Sequence, residues 1–150
     1  MSPALTIDCA DGAVTIDGCS FVLTKAASRA DVTKHFAEFY RSQRGDPDSY
    51  EWLTFEGVSF GGQPCGFSLC FHEGHLTEMN FAVALPDETS EGGWPTREAI
   101  DQEIAFVRKE LEKQLSRSFK RGEVRFAWGV VWSQFDQKGF QASAGLRYKA

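Results

Sequence analysis

The sequence predicts an α+β domain with a mostly antiparallel sheet and two helices, in the order strands, helix, strands, helix, strands. Alternating apolar runs separated by glycine turns occur in three parts of the chain, and two amphipathic stretches lie between them. Strand runs that are segregated in this way favour an α+β layer architecture. The length of 150 residues is that of one domain. We therefore expect residues 1–150 to form a single domain.

The strands are predicted in three groups. Residues 4–24 hold three short β-type runs, separated by Asp-Gly dipeptides that favour hairpin turns. Residues 50–85 form a longer meander, in which apolar residues alternate with small or polar ones, as in a sheet with one buried face. Residues 124–148 form the clearest hairpin, whose small Ala and Gly residues should pack against bulky Trp side chains. One face of its first strand comprises Val124, Phe126, Trp128, Val130 and Trp132.

The two helices are predicted between these groups. The first begins with the capping box from Ser28 to Asp31 and should end before Gly45. Its apolar face comprises Val32, Phe36, Phe39 and Tyr40. The second begins at the cap Thr96 and should end at Gly122, with basic residues near its end as the helix dipole favours. Its apolar stripe comprises Ile100, Ile104, Val107, Leu111, Leu115 and Phe119.

The charge distribution bears most directly on function. Residues 45–96 contain no Lys or Arg and carry nine carboxylates, whereas the flanks hold all 16 basic residues against 12 acidic ones. Such a window attracts a cationic partner and repels nucleic acid. Trp94, in a polar loop of this window, is either an interface residue or a hydrophobic staple for the following helix. The candidate partner contacts are Asp46, Asp48, Glu51, Glu56, Asp87, Glu88, Glu91 and Trp94.

Catalytic and metal-binding signatures are weak. Cys65, Cys70, His72 and His75 are potential zinc ligands, but their spacing fits neither a zinc finger nor the helical His-Glu-x-x-His pattern. Strand parity also places Cys65 on the face opposite Cys70 and His72. No Gly-x-Ser-x-Gly elbow occurs, although the many carboxylates leave acid–base chemistry open. We predict no enzymatic activity, no metal site and no cofactor.

Nucleic-acid binding and membrane insertion are not predicted. The basic stretch from Arg108 to Arg125 fills the solvent face and the end of the second helix, and the sequence pI is about 5.2. The chain has no basic leader and no apolar run of 18 residues. We therefore expect a cytoplasmic protein whose four cysteines are reduced.

Two segments resemble small stand-alone bacterial proteins of toxin-immunity type. The stretch from Phe126 to Gly139, with the following Gly145-Leu-Arg-Tyr148, resembles their C-terminal hairpin. The stretch from Leu69 to Glu78 is similar to their strand, acidic-glycine turn and strand. The resemblance implies a small cytoplasmic binding protein and carries no catalytic residues with it.

Three functional hypotheses follow from these observations. The first is a non-enzymatic immunity protein that binds and blocks a basic toxin, through electrostatic steering and burial of aromatic anchors. The second is a small-ligand-binding or enzymatic domain with a cleft between the sheet and a helix, which requires a deep pocket with converging polar groups. The third is a homodimer formed through edge strands and exposed aromatic residues.

Overall fold

A seven-stranded sheet organises the chain in the computed structural model, which describes residues 2–86 and 88–150. The N-terminal part comprises β1 (Leu5–Ile7), β2 (Val14–Ile16), α1 (Arg29–His35) and a 3₁₀ turn (Ala37–Phe39). The central strands are β3 (Tyr40–Gly45), β4 (Tyr50–Phe60), β5 (Gln63–His72) and β6 (His75–Val83). The remaining elements are β7 (Ser90–Glu91), β8 (Trp94–Pro95), α2 (Arg97–Leu115), β9 (Glu123–Phe126), β10 (Gly129–Asp136) and β11 (Gln141–Tyr148).

The strand order in the main sheet is β3-β4-β5-β6-β11-β10-β9, and each neighbouring pair is antiparallel. Strands β3, β4, β5 and β6 form a continuous meander. The C-terminal hairpin of β10 and β11 then joins the sheet, with β11 pairing to β6. The predicted α+β class and the predicted order of strands and helices are both confirmed. The N-terminal hairpin β1–β2 forms a separate small sheet, as does β7–β8.

The helices and the N-terminal hairpin cover one face of the main sheet. From the segment after α1, the ring of Phe36 packs edge-on against Phe55 of β4 and Phe67 of β5. From α2, the guanidinium of Arg108 donates to the backbone carbonyl of Ser133 in β10, over 2.8 Å. Each large apolar side chain buried on this covered face contributes about 1.5–3 kcal/mol to folding. The covered face includes Leu53, Phe55, Phe67, Leu69, Met79, Phe81, Val131 and Leu146.

The opposite face of the sheet is directed to solvent. Most of its side chains are half-buried or exposed, as the two-residue period of a strand requires when the alternate residues are in the core, although Cys70 and Trp132 are buried. Trp132 of this open face lies over Gly145 of β11, and its indole N–H donates to the hydroxyl of Ser143. The predicted packing of a large side chain against a small one is therefore confirmed for this pair. Other residues of the open face are Trp52, Thr54, Ser68, Asn80, Ala82 and Arg147.

The first helix is shorter than the sequence predicts. The capping box at Ser28 is present, but α1 ends at His35 and is followed by the 3₁₀ turn. Tyr40, which we expected on the helical face, begins the edge strand β3. All six residues of β3 are exposed, so this strand lacks the apolar alternation by which strands are recognised.

The predicted strand through residues 124–132 is in fact two strands. A turn at Ala127 and Trp128 separates β9 from β10, and the two pair as an antiparallel hairpin. Trp128 therefore does not share a face with Trp132. Its indole N–H donates to the carbonyl of Cys9 over 2.9 Å, and its ring covers Gly12, where any side chain would collide with it.

Two further boundaries differ from the sequence-based expectation. Helix α2 ends at Leu115 and is capped by Ser116 in the left-handed conformation, with φ of 56°, and not by Gly122. Phe119 remains fully buried although it lies beyond the helix. In the N-terminal region, the run that ends at Leu23 forms a single bridge with Val14 and no third strand.

Replacing Gly145 by Ala should destabilise the fold. A Cβ atom at this position would lie 2.8 Å from Cζ2 of Trp132 and would also collide with the carbonyl oxygen of Met79. We expect Gly145→Ala to lower the free energy of unfolding by about 1–3 kcal/mol, measured by urea denaturation.

The matched control is Gly66→Ala, at another strand glycine of the open face. Its Cβ would approach the nearest atom, the carbonyl oxygen of Phe55, at 3.3 Å. Because Ala also favours a strand more than Gly, the change should stay within about 1 kcal/mol. Equal losses in the two variants would refute the close packing at Trp132.

Candidate functional site

The predicted partner contacts are divided between the two ends of β4. Asp46 and Asp48 lie in the turn before this strand, whereas Glu56 lies towards its other end. At about 3.3 Å per residue, the six steps from Tyr50 to Glu56 span roughly 20 Å. Asp87 lies outside the described residues. The eight candidates therefore do not form one surface.

Glu51 is buried, with 1% of its surface exposed, which corrects its assignment to a partner surface. It lies on the covered face of β4, where both carboxylate oxygens accept from Nε of Arg29 at 2.8 and 2.9 Å. The side-chain amide of Gln43 donates to the same carboxylate over 3.1 Å. Glu51 thus joins α1 to the sheet.

The end of the sheet near Asp46 is built from two adjacent turns. The carboxylate of Asp46 accepts from the backbone N–H of Asp48 at 2.9 Å and so shapes the β3–β4 turn. The backbone N–H of Glu73 donates to the carbonyl of Ser49, which joins the β5–β6 turn to it. Tyr50 is 57% exposed here. We call this region, with its three exposed carboxylates, the turn end.

The opposite end of the sheet contains a cleft. Strand register places Val58, Cys65 and Val83 in one row across β4, β5 and β6. Beside this row lies a cleft of about 460 Å³, which Glu56 and Glu88 line together. The other lining residues are Ser2, Gly57, Val58, Pro64, Cys65, Gly66, Ala82, Val83 and Ala84. We call this region the cleft end.

The hairpin β7–β8 follows the cleft in the chain and adds an exposed aromatic side chain. Glu91 pairs with Trp94 across the hairpin, and Trp94 is 70% exposed. Trp94 therefore does not act as a buried staple for α2. Thr96 caps that helix through its side chain instead, as predicted. Glu56 and Glu88 thus line one cleft, and Glu91 and Trp94 pair in the hairpin that follows Glu88 in the chain.

Phe140 is an exposed aromatic residue that the sequence analysis missed. It lies in the β10–β11 turn, is 50% exposed and has a φ of 48°. A left-handed φ usually indicates glycine, and Gly139 is adjacent, so no sequence signal pointed to Phe140. Its ring packs edge-on against Phe135, over which the guanidinium of Arg97 stacks at 3.7 Å. Arg97 lies three residues after Trp94.

The electrostatics of the cleft end are dominated by carboxylates. Burial raises the pKa of Glu103, and the nearby charge of Glu88 raises it further, although the backbone N–H of Val83 donates to it and opposes this shift. Burial also raises the pKa of the Cys65 thiol to about 12, so this residue is neutral at physiological pH. Arg41 approaches Glu56 at 3.6 Å, with both side chains exposed to solvent.

The four potential zinc ligands do not converge. Cys65 faces the covered side of β5, whereas Cys70 and His72 have the opposite parity. Among the residues that the structure describes, no three His, Cys, Asp or Glu side chains are grouped so as to hold a metal ion. The four cysteines are free thiols.

A cleft between the sheet and a helix, which the second hypothesis requires, receives no support from five surface clefts on the described part of the chain. They are lined by strand, turn and loop residues, and neither α1 nor α2 contributes to them. No helix within the described ranges is long and apolar enough to cross a membrane.

The fold resembles that of one chain in a solved complex, although the sequence comparisons find no match. No family model matches the chain, and no curated protein matches it. A chain from the solved structure "Rhs1-CT in complex with cognate immunity protein RhsI1" superposes with a TM-score of 0.52. The two chains are 13% identical, and the alignment covers 97% of this chain and 87% of the other. At this identity the likeness establishes the α+β fold alone.

Removing the charge of Glu51 should destabilise the protein more than removing that of Glu56 on the same strand. Glu51→Gln replaces the buried carboxylate that Arg29 contacts by a neutral amide, which is a weaker partner. We expect a loss of about 1–3 kcal/mol in the free energy of unfolding. Glu56→Gln affects only an exposed pair, so its effect should be below about 1 kcal/mol. Chemical denaturation of both variants measures the difference, and similar values would contradict the structural role of Glu51.

Glu103→Gln should change how stability depends on pH. Because the folded state raises the pKa of Glu103, it holds this proton more tightly than the unfolded state. Stability is therefore lost as pH rises from the ordinary carboxyl range through the raised value. The Gln variant keeps an acceptor for Val83 and should be more stable than the wild type at neutral pH, by less than about 1 kcal/mol.

Thermal unfolding of the two proteins across the acidic range measures this effect. The advantage of Glu103→Gln should disappear near about pH 3, where the carboxyl is protonated in both states. The control is Glu98→Gln in the first turn of the same helix, which should lose a little stability because an acidic residue there favours the helix dipole. An advantage for Glu103→Gln that persists at low pH would rule out a charge effect.

Proposed function

We propose that this protein is a non-enzymatic immunity-type protein that binds a basic toxin and blocks it, with the cleft end as its contact surface. The observation that carries the proposal is the position of Glu56 and Glu88 in one cleft, next to the hairpin that exposes Glu91 and Trp94. Carboxylates beside a solvent-exposed indole are suited to a basic protein surface.

The shared fold supports the same class of function. The similar chain belongs to a complex of Rhs1-CT with its cognate immunity protein, so this arrangement of strands and helices occurs in a pair of that kind. The resemblance of the C-terminal hairpin to toxin-immunity proteins agrees with this. The shared fold and the hairpin resemblance both support a protein partner of toxin type. The acidic charge of the cleft end supports a partner that is basic.

The mechanism is electrostatic steering followed by burial of aromatic side chains. Exposed carboxylates raise the rate of encounter with a cationic protein, and this effect weakens as salt screens the charges. Trp94, and Phe140 at the same end of the sheet, then supply apolar area that is removed from water on binding. Occupation of the toxin surface by this end of the molecule blocks the toxin.

The turn end is a less suitable surface for the same partner. The carboxylate of Asp46 already accepts a hydrogen bond from its own turn. The exposed aromatic residue of this end, Tyr50, stacks on the ring of His72 at 4.2 Å. Both features stabilise the turn itself. We therefore use Asp46 and Asp48 as the internal control for Glu56 and Glu88.

The proposal predicts a partner whose association depends on salt and on the cleft end. Capture from a lysate of the source organism at low and high salt should recover one basic protein that is lost at high salt. With the purified pair, the association rate should fall by roughly tenfold or more as salt is raised, because steering is screened. Glu56→Gln with Glu88→Gln should slow association, and Trp94→Ala should speed dissociation, with a loss of more than about 1 kcal/mol.

The matched control is Asp46→Asn with Asp48→Asn, which removes two carboxylates from the turn end while keeping the acceptor of the turn. This variant should associate at the wild-type rate. Cells that express the captured protein should survive only when the wild-type immunity candidate is present. Failure to recover a stoichiometric partner, or equal effects at the two ends, would contradict the proposal.

A further inference from the structure

We infer that the cleft between Glu56 and Glu88 receives an arginine or lysine side chain of the protein partner, an inference that rests on the proposed function. It specifies the chemistry of the contact: a cationic head at the carboxylates and an apolar stem along the floor of the cleft. The geometry, the charge and the polarity of the cleft each support it.

The floor of the cleft is apolar and open because its central residues are small. Gly66 and Ala82 lie opposite each other on β5 and β6, on the open face of the sheet. Neither residue extends beyond Cβ, so space remains above them, and the cleft has a volume of about 460 Å³. The exposed Ala84 continues the apolar lining. A long methylene stem can lie along such a surface.

The rim of the cleft is acidic, and its neighbours do not neutralise it. Glu56 and Glu88 line it together, and Glu103 lies close enough for the charge of Glu88 to act on it. The neighbouring Cys65 adds no charge either, because its thiol faces the covered side of the sheet and burial keeps it neutral. Arg41 is the cation that contacts Glu56, but a separation of 3.6 Å between two exposed side chains makes a weak pair. An incoming cation can displace Arg41 at little cost.

These features favour a cationic side chain over the other classes of ligand. An anion is repelled by the rim. The described residues hold no cluster of metal-ligating side chains, and the apolar floor offers a hydrated metal ion nothing to bind. An arginine or lysine combines the charge that the rim attracts with the aliphatic length that the floor accommodates.

The first test uses a short peptide, acetyl-Gly-Arg-Gly-amide, titrated into the ¹⁵N-labelled full-length protein. We expect saturable shifts of the backbone amide signals of Gly66, Ala82 and Ala84. The same peptide with citrulline in place of arginine, which is neutral and nearly isosteric, should bind at least about threefold more weakly because it lacks the charge. Shifts that do not saturate, or that are equally large at Asp46 and Asp48, would overturn the inference.

The variants distinguish binding of the peptide in the cleft from general attraction to an acidic surface. Glu56→Gln with Glu88→Gln should weaken peptide binding at least about threefold, whereas Asp46→Asn with Asp48→Asn should leave it unchanged. Ala82→Arg places the chain's own guanidinium in the cleft and should abolish the peptide-induced shifts of Gly66 and Ala84. Its control is Ala105→Arg, at an exposed position of α2, which should bind as the wild type does. Peptide binding that survives Ala82→Arg would also overturn the inference.

Failure of this inference is distinguishable from failure of the proposed function. A partner protein that binds through Trp94 and loses affinity at high salt, while the peptide gives no saturable shift, would remove the cleft contact and leave the immunity-type role in place. Saturable binding of the arginine peptide without any stoichiometric protein partner would support the cleft as a site for a cationic side chain and contradict the immunity-type role.

Discussion

The structure depends on the two-residue period of one antiparallel sheet that is buried on a single face. Alternate side chains of β4, β5, β6, β10 and β11 form the core beneath the helices, and most of the residues between them meet solvent. This constraint places adjacent residues of a strand on opposite faces of the sheet and so gives them different roles. Glu51 is inside and becomes a link to α1, whereas Trp52, the next residue, lies on the open face. A shift of one residue in any strand would exchange the two sets.

Strand register also decides which charges act together. Residues 45–96 form one acidic block in the sequence, yet β4 carries its beginning and its end to opposite sides of the sheet. Glu56 and Glu88 are 32 positions apart in the chain and share a cleft, whereas Asp48 and Glu56 are close in sequence and far apart in space. A count of charges in a window can indicate the kind of partner, but the sheet determines the surface.

Sequence reasoning recovered the regular parts of this protein and failed where a turn replaced a strand or helix. The meander of β4, β5 and β6 and the stripe of α2 have clear periods, and both were predicted. The edge strand β3 was missed because it buries no residue, and the β9–β10 turn was missed because Trp128 kept the alternation across it. The exposed turn position of Phe140 could not be predicted, because its left-handed conformation is usual for glycine and Gly139 is the adjacent residue. The candidate contacts were therefore predicted from charge composition, and of these eight residues the structure brings Glu56 and Glu88 together in one cleft.

The edge strand β3 has a consequence for how copies of this protein meet. In the antiparallel register centred between Ser42 and Gln43, two such strands would set Arg41 and Arg44 of one molecule against Arg44 and Arg41 of the other. Like charges in direct opposition destabilise a strand pair, and arginine or lysine on an edge is a common means of stopping a sheet from extending. In this register the charge repulsion opposes extension of the sheet from one molecule to the next.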